Sequence, residues 1–183
     1  MSTRERDAVG RRREIPIIFT ADSVRAILSG AKTQTRRPLV NQDRPAATRV
    51  NPQIGDHLWV KETFRRNHPS YIFRADHDEV GRRWTSPLFL PRAASRILLE
   101  VTAVREERLW KITKEDAIAE GVMSFSNLYP HAGPLEIYAD VWDEINLKRA
   151  PWILDPMVRV ITFRRLVPAV DSAREATAHD QKT

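Results

Sequence analysis

The chain has no cysteine in its 183 residues. That excludes disulfides and thiolate metal sites, and a reducing, cytosolic setting is the simplest fit. The 5 histidines are scattered without H-x-x-x-H or similar spacing, so no metal site is expected. Glycine is scarce, with 6 residues, and neither a Gly-rich nucleotide loop nor a Ser-His-Asp arrangement can be read. No cofactor is expected. No apolar run approaches the roughly 20 residues needed to cross a bilayer. The Arg-rich start also lacks the apolar segment of a signal peptide. These absences predict a soluble cytoplasmic monomer without metal or membrane partner.

What the chain does carry is positive charge, unevenly placed. The net charge is +6, and residues 1–50 hold 11 Lys plus Arg against 5 Asp plus Glu. The remainder holds 19 of each sign, so the first fifty residues carry the whole excess. Such a segment suits a phosphodiester backbone. Residues 1–13 read equally as a disordered, solvated basic tail.

The most informative stretch is Gly30-Ala31-Lys32-Thr33-Gln34-Thr35-Arg36-Arg37. A short amphipathic helix precedes it over 21–29, with Val24, Ile27 and Leu28 on one face. Gly30 stands where a helix end needs positive φ. Pro38 disfavours the α conformation at Arg37. The pattern predicts a cationic, hydroxyl-bearing loop followed by extended chain. Basic residues after a helix end also answer the negative end of the helix dipole, so charge alone does not define a site.

The remaining pattern is mixed. Residues 14–20 are nearly all apolar, as in a strand covered on both faces, and 39–53 reads as a long loop. Strands are predicted over 57–64 and 96–105, the latter with Ile97, Leu99, Val101 and Ala103 on one face. A hairpin is expected between 71–75 and 82–85. Thr113 and Asp116 resemble a capping box for a helix ending at Glu120, with Gly121 at its C′ position. A second helix spans 135–145, burying Leu135, Tyr138, Val141, Trp142 and Ile145, and a last strand runs over 157–166. The class is α+β. The expected division is one domain over 14–167, with a polar C-terminal tail over 168–183.

Gly30, Lys32, Thr35 and Arg37 match the G-x-K-x-x-T-x-R signature, and in this the chain resembles the ASCH domain superfamily. Ile54 to Glu62 is similar to the family's G-D-x-L-W-V-x-E strand. The order of segments resembles the bacterial and phage or prophage branch, over roughly residues 14–167. The resemblance implies a PUA-like β-barrel with the motif loop at the mouth of a cleft. It also implies a ligand class, RNA or a modified nucleoside. Some small ASCH proteins are amidohydrolases that deacylate 4-acetylcytidine, and their catalytic Lys, Thr and Glu match Lys32, Thr35 and Glu120. Others are ribonucleases, and others bind RNA only, so all three readings stand at this point.

The chemistry of that trio is coherent. Amide hydrolysis needs an activated oxygen nucleophile, oxyanion stabilisation and a proton for the leaving amine. A Lys at its ordinary value of about 10.4 is too basic to act at neutral pH. Burial beside Arg36 and Arg37 would bring it down. Neutral Lys32 could then take a proton from Thr35 or from water. Glu120, at a helix C-terminus, meets the negative end of the dipole and fits a general acid. Gly30, Arg36, Arg37, Glu62 and the stacking candidates Trp59 and Trp84 complete the expected ligand contacts. Glu62 is the alternative working carboxylate. The long segments 39–53, 65–95 and 123–134 are candidates to cover the cleft.

Overall fold

The computed structural model describes residues 12–39, 51–77, 81 and 83–166. Residues 1–11 of the expected N-terminal tail, the C-terminal tail over 168–183 and the middle of the 39–53 loop lie outside the described residues; Arg12 and Arg13, the end of the expected tail, pair with Glu100 and Asp56. Seven strands and three α-helices are found among those described. The strands are β1 (Glu14–Ile18), β2 (Gln34–Pro38), β3 (His57–Lys61), β4 (Phe64–Asn67), β5 (Ser70–Phe73), β6 (Leu98–Arg108) and β7 (Met157–Leu166). The helices are α1 (Ala21–Leu28), α2 (Lys114–Ala119) and α3 (Pro134–Asn146). The α+β class is therefore observed. No helix among the described residues is long and apolar enough to cross a membrane.

Five strands form one sheet in the order β1-β3-β6-β7-β2, while β4 and β5 pair separately. β1 and β2 are the two edges, and no pairing between them closes a barrel among the described residues. Only the β1–β3 pair is parallel. β6 and β7 form the long antiparallel spine, with an irregularity between Val101 and Ala103. That break answers one expectation. Ile97, Leu99 and Val101 are buried as predicted, but Ala103 is exposed and Val104 packs on the core. One extra residue in a ladder moves every later side chain to the opposite face.

Two apolar clusters flank the sheet. One joins β1 and α1 to the strands through Ile17, Phe19, Val24, Ile27, Leu58, Val60 and Phe163. The other gathers Ala117, Val122, Ile137, Tyr138, Trp142, Val158 and Val160 around α2 and α3. β7 feeds both clusters because its buried residues change face along its length.

Several local expectations change. β1 is an edge strand with exposed Pro16 and Ile18, which suits a proline that cannot donate to a ladder. The hairpin is β4 with β5, Phe64 facing Phe73; Thr85 meets only Phe64, in an isolated bridge. In α3, Ile137 is buried instead of Leu135 and Ile145, which are 40% and 56% exposed. The face is turned because Tyr138 and Trp142 make the cluster contacts and draw Ile137 in with them.

Candidate functional site

The motif helix starts and stops as its residues dictate. Thr20 caps α1 through its side chain and Ser23 N–H, and Gly30 adopts φ 78°. The segment beyond is not the exposed loop predicted from sequence. Gln34 to Pro38 is strand β2, paired with β7. Its first three residues are buried. The turn places Lys32 inside: Lys32 N–H donates to Ala26 O at 2.9 Å, and Thr33 N–H to Ala119 O at 2.8 Å. A second element arrives from far along the chain. Thr113 and Asp116 form the full capping box of α2, and Glu120 is its C-cap. Gly121 then turns the chain at φ 84°.

These two turns meet. Lys32 and Glu120 form an isolated antiparallel bridge. Lys32 Nζ donates to Glu120 Oε2 at 2.7 Å and to its backbone oxygen at 2.8 Å. Both side chains are only 5% exposed. A cleft of about 170 Å³ opens over them, between the two apolar clusters. Its polar lining includes Lys32, Thr35, Arg36, Arg37, Glu120 and Tyr138, and Ile18, Phe19, Phe125 and Val141 are among its apolar walls.

The electrostatics of this pair follow from burial. Burial pulls the Lys32 ammonium below its ordinary value; Glu120 opposes this, while Arg37 and Arg36 add to it. Lys32 is thus held closer to the neutral form than a surface lysine. Burial likewise pushes the Tyr138 phenol well above its ordinary value, with the nearby Glu120 adding to the effect. Tyr138 therefore keeps its proton and is a donor. From sequence it read only as a core residue of α3. Its hydroxyl was the one available signal, since a buried phenol seeks a polar partner.

The two arginines of the motif part company. Arg37 faces the cleft, donates to Ile18 O at 2.7 Å, and lies 5.1 Å from the Phe19 ring centroid. Its Nε is buried without a hydrogen-bond partner in the protein. Burial draws its guanidinium below the ordinary value, yet an arginine stays charged. Arg36, expected as a ligand contact, is turned inward instead. Its side chain is 0% exposed and it meets Glu107, Asp116 and Glu120 at 2.9, 2.8 and 3.3 Å.

The other expected contacts lie elsewhere. Glu62 is 1% exposed and takes a bidentate pair from Arg96 at 2.8 and 2.9 Å, so it is a buried structural partner away from the cleft. Trp59 points off the opposite face of β3 from Leu58 and Val60, with Lys61 5.3 Å and Arg92 6.0 Å from its ring. Trp84 sits near Arg65 and Arg74 by the small hairpin. Neither tryptophan lines the cleft. Gly30 serves the turn and is not in the lining. The described residues of segment 65–95 contribute none to the lining, whereas 123–134 contributes Phe125. Among the described residues, no group of His, Cys, Asp and Glu is arranged to hold a metal ion.

No protein-family model and no curated protein matches the chain. Solved structures do. Protein EF3133 from Enterococcus faecalis is 12% identical at a TM-score of 0.43, over 89% of this chain and 86% of that one. An ASCH domain from Lactobacillus crispatus is 12% identical at a TM-score of 0.42, over 90% and 86%. A mutant form of ZmASCH from Zymomonas mobilis is 13% identical at a TM-score of 0.35, over 84% and 70%. The last two are ASCH proteins, the superfamily that the Gly30–Arg37 signature resembles.

Proposed function

We propose that this cleft hydrolyses an acyl amide on a small nucleoside, with an N4-acylated cytidine as the model substrate. One observation carries the reading: a buried Lys32–Glu120 pair at 2.7 Å, in the lining of a cleft that Thr35 also lines. Lys32, eased toward its neutral form by burial, takes the proton of the nucleophile, the Thr35 hydroxyl or a water. Arg37 polarises the carbonyl and steadies the oxyanion as charge develops on it. Glu120 accepts the proton that Lys32 gains and relays it to the departing amine; where Thr35 attacks, it is left acylated, and a water deprotonated by Lys32 then releases the acid and returns the proton to Thr35. The apolar walls hold the base or its acyl group away from water.

Charge accounting favours a neutral, monomeric substrate over a polyanion. Of the cations lining the cleft among the described residues, Lys32 and Arg36 are answered by carboxylates, which leaves Arg37. The basic first fifty residues favour a second reading, non-catalytic binding of single-stranded RNA, whose affinity would fall steeply with salt. A metal-independent ribonuclease using the same cleft is told apart by cleavage of unmodified RNA. The deciding experiment is hydrolysis of 4-acetylcytidine by the full chain beside Lys32→Ala. Loss of the proton acceptor should lower kcat by roughly 10²–10⁴-fold. Equal turnover by the variant, or none by the wild type, refutes the hydrolase reading.

A further inference from the structure

Arg36 stands at a position that the G-x-K-x-x-T-x-R signature leaves free, yet its side chain is fully enclosed, at 0% exposure. Its guanidinium is shared among three elements. Nη2 donates to Glu107 Oε1 on β6 at 2.9 Å and to Asp116 Oδ2 on α2 at 2.8 Å. Nη1 donates to Gln34 Oε1 at 2.5 Å and reaches Glu120 Oε1 at 3.3 Å. The other Glu120 oxygen, Oε2, belongs to Lys32. Each oxygen of this carboxylate therefore has its own cation.

That division matters because the orientation of the enclosed Glu120 carboxylate decides which of its oxygens Lys32 meets. Held at both oxygens, the carboxylate has one orientation, and Oε2 stays on Lys32. Arg36 is itself immobilised from below. Asp116 closes the capping box at the start of α2, so Arg36 touches both ends of that short helix. Burial works to raise the Asp116 carboxyl, but Arg36 and the Thr113 backbone outweigh it and keep it below the ordinary range. A planar fork suits four acceptors in a way that a single ammonium does not.

We propose, building on the reading of Lys32 and Glu120 as the working pair, that Arg36 is a positioning residue that fixes the Glu120 carboxylate against Lys32. It acts through Glu120 and not on the substrate. Among the described residues, the charged groups acting on Lys32 are Glu120 at the end of α2 and Arg36 and Arg37 from β2, with the Tyr138 phenol of α3 acting on Glu120.

The test compares full-length wild type, Arg36→Met, Arg36→Lys and Arg105→Met. Arg105 pairs with the same Glu107 and Asp116 at the surface, so its loss removes a cation from the network without releasing Glu120. Two quantities are read: kcat and KM separately on 4-acetylcytidine, and the titration of Lys32 Nζ by NMR in the absence of ligand. Arg36→Met should lower kcat by about 10²-fold, the scale of a misplaced catalytic group, with KM within about threefold. Lys32 should also uncouple from Glu120: Glu120→Gln lowers the Lys32 titration in the wild type, because Glu120 raises it, and should lower it less in the Arg36→Met background. Arg36→Lys restores the charge without the fork, so kcat and the Glu120 coupling should both stay depressed. Arg105→Met should match wild type in both. Wild-type kcat in Arg36→Lys, or an equal loss in Arg105→Met, overturns the proposal. If Arg36→Met does not fold, those two variants decide. If the wild type does not turn over, the hydrolase reading fails, and the effect of Glu120→Gln on the Lys32 titration decides: a smaller effect in Arg36→Met than in the wild type supports positioning, and an equal effect overturns it.

Discussion

Gly121→Ala is the substitution that most directly tests how the site is assembled. Gly121 lies at φ 84°, and a Cβ there would meet the Ala26 Cβ at 2.9 Å and the Lys32 Cβ at 3.0 Å. Two penalties combine: a left-handed conformation costs an alanine about 1–2 kcal/mol, and forcing a methyl against packed atoms adds about 1–3 kcal/mol. Neither neighbour can yield cheaply, because Ala26 is in the middle of α1 and Lys32 is anchored to Glu120. Gly30 supplies the internal control. It has φ 78°, and a Cβ there would meet nothing within 4 Å, so Gly30→Ala should show the conformational penalty alone. The difference between the two variants isolates the close approach of α2 to the Lys32 turn. It should be about 1–3 kcal/mol, a Tm gap of roughly 2–12 °C for a chain of this size. Thermal unfolding of both variants against wild type measures it. Equal destabilisation would refute the claim that the two turns are packed against each other. Gly121→Ala should also reduce turnover in the folded protein, since it pushes on Lys32 itself.

Two further outcomes follow from the charges. Arg96→Met strands the Glu62 carboxylate, which is 1% exposed. The cost should be about 3 kcal/mol in urea denaturation, the low end for a broken buried pair, because the Arg96 side chain is 29% exposed. Cleft turnover should persist wherever that variant is folded, and its selective loss would put Glu62 back among the working groups. For Lys32, burial lowers the folded value from 10.5, so between that lowered value and 10.5 the unfolded chain binds the proton that the folded chain has released. Stability contributed by this group therefore rises with pH across that window. Lys32→Met should flatten the rise, and kcat/KM of the wild type should climb on its acid side as the ammonium loses its proton. A fall in stability over the same range would contradict a buried lysine whose titration is lowered by folding.

Local chemistry made much of this fold legible from sequence. The α1 stop at Gly30, the Thr113–Asp116 capping box and the turn at Gly121 are set by contacts within a few residues, so the sequence carries them whole. The long strands β6 and β7 are also visible, because apolar side chains recur along each of them. The trio Lys32, Thr35 and Glu120 came from the resemblance of the signature, and the tertiary structure lines all three along one cleft. What the sequence could not carry is which side of β2 faces inward. Strand alternation names two faces without saying which one meets α2, so Arg36 read as a ligand contact although it is enclosed by Glu107, Asp116 and Glu120. The same holds for Glu62, Trp59 and Trp84, whose partners Arg96, Arg92 and Arg74 depend on how the small hairpin and the loop before β6 pack. The bulge near Thr102 reversed the faces predicted for the rest of β6, a change of one residue that no periodicity announces. Capping and turn geometry are decided over three or four residues and belong to the sequence. The Lys32–Glu120 pair closes a separation of 88 residues, and only the packing of α2 against the motif turn could bring it together.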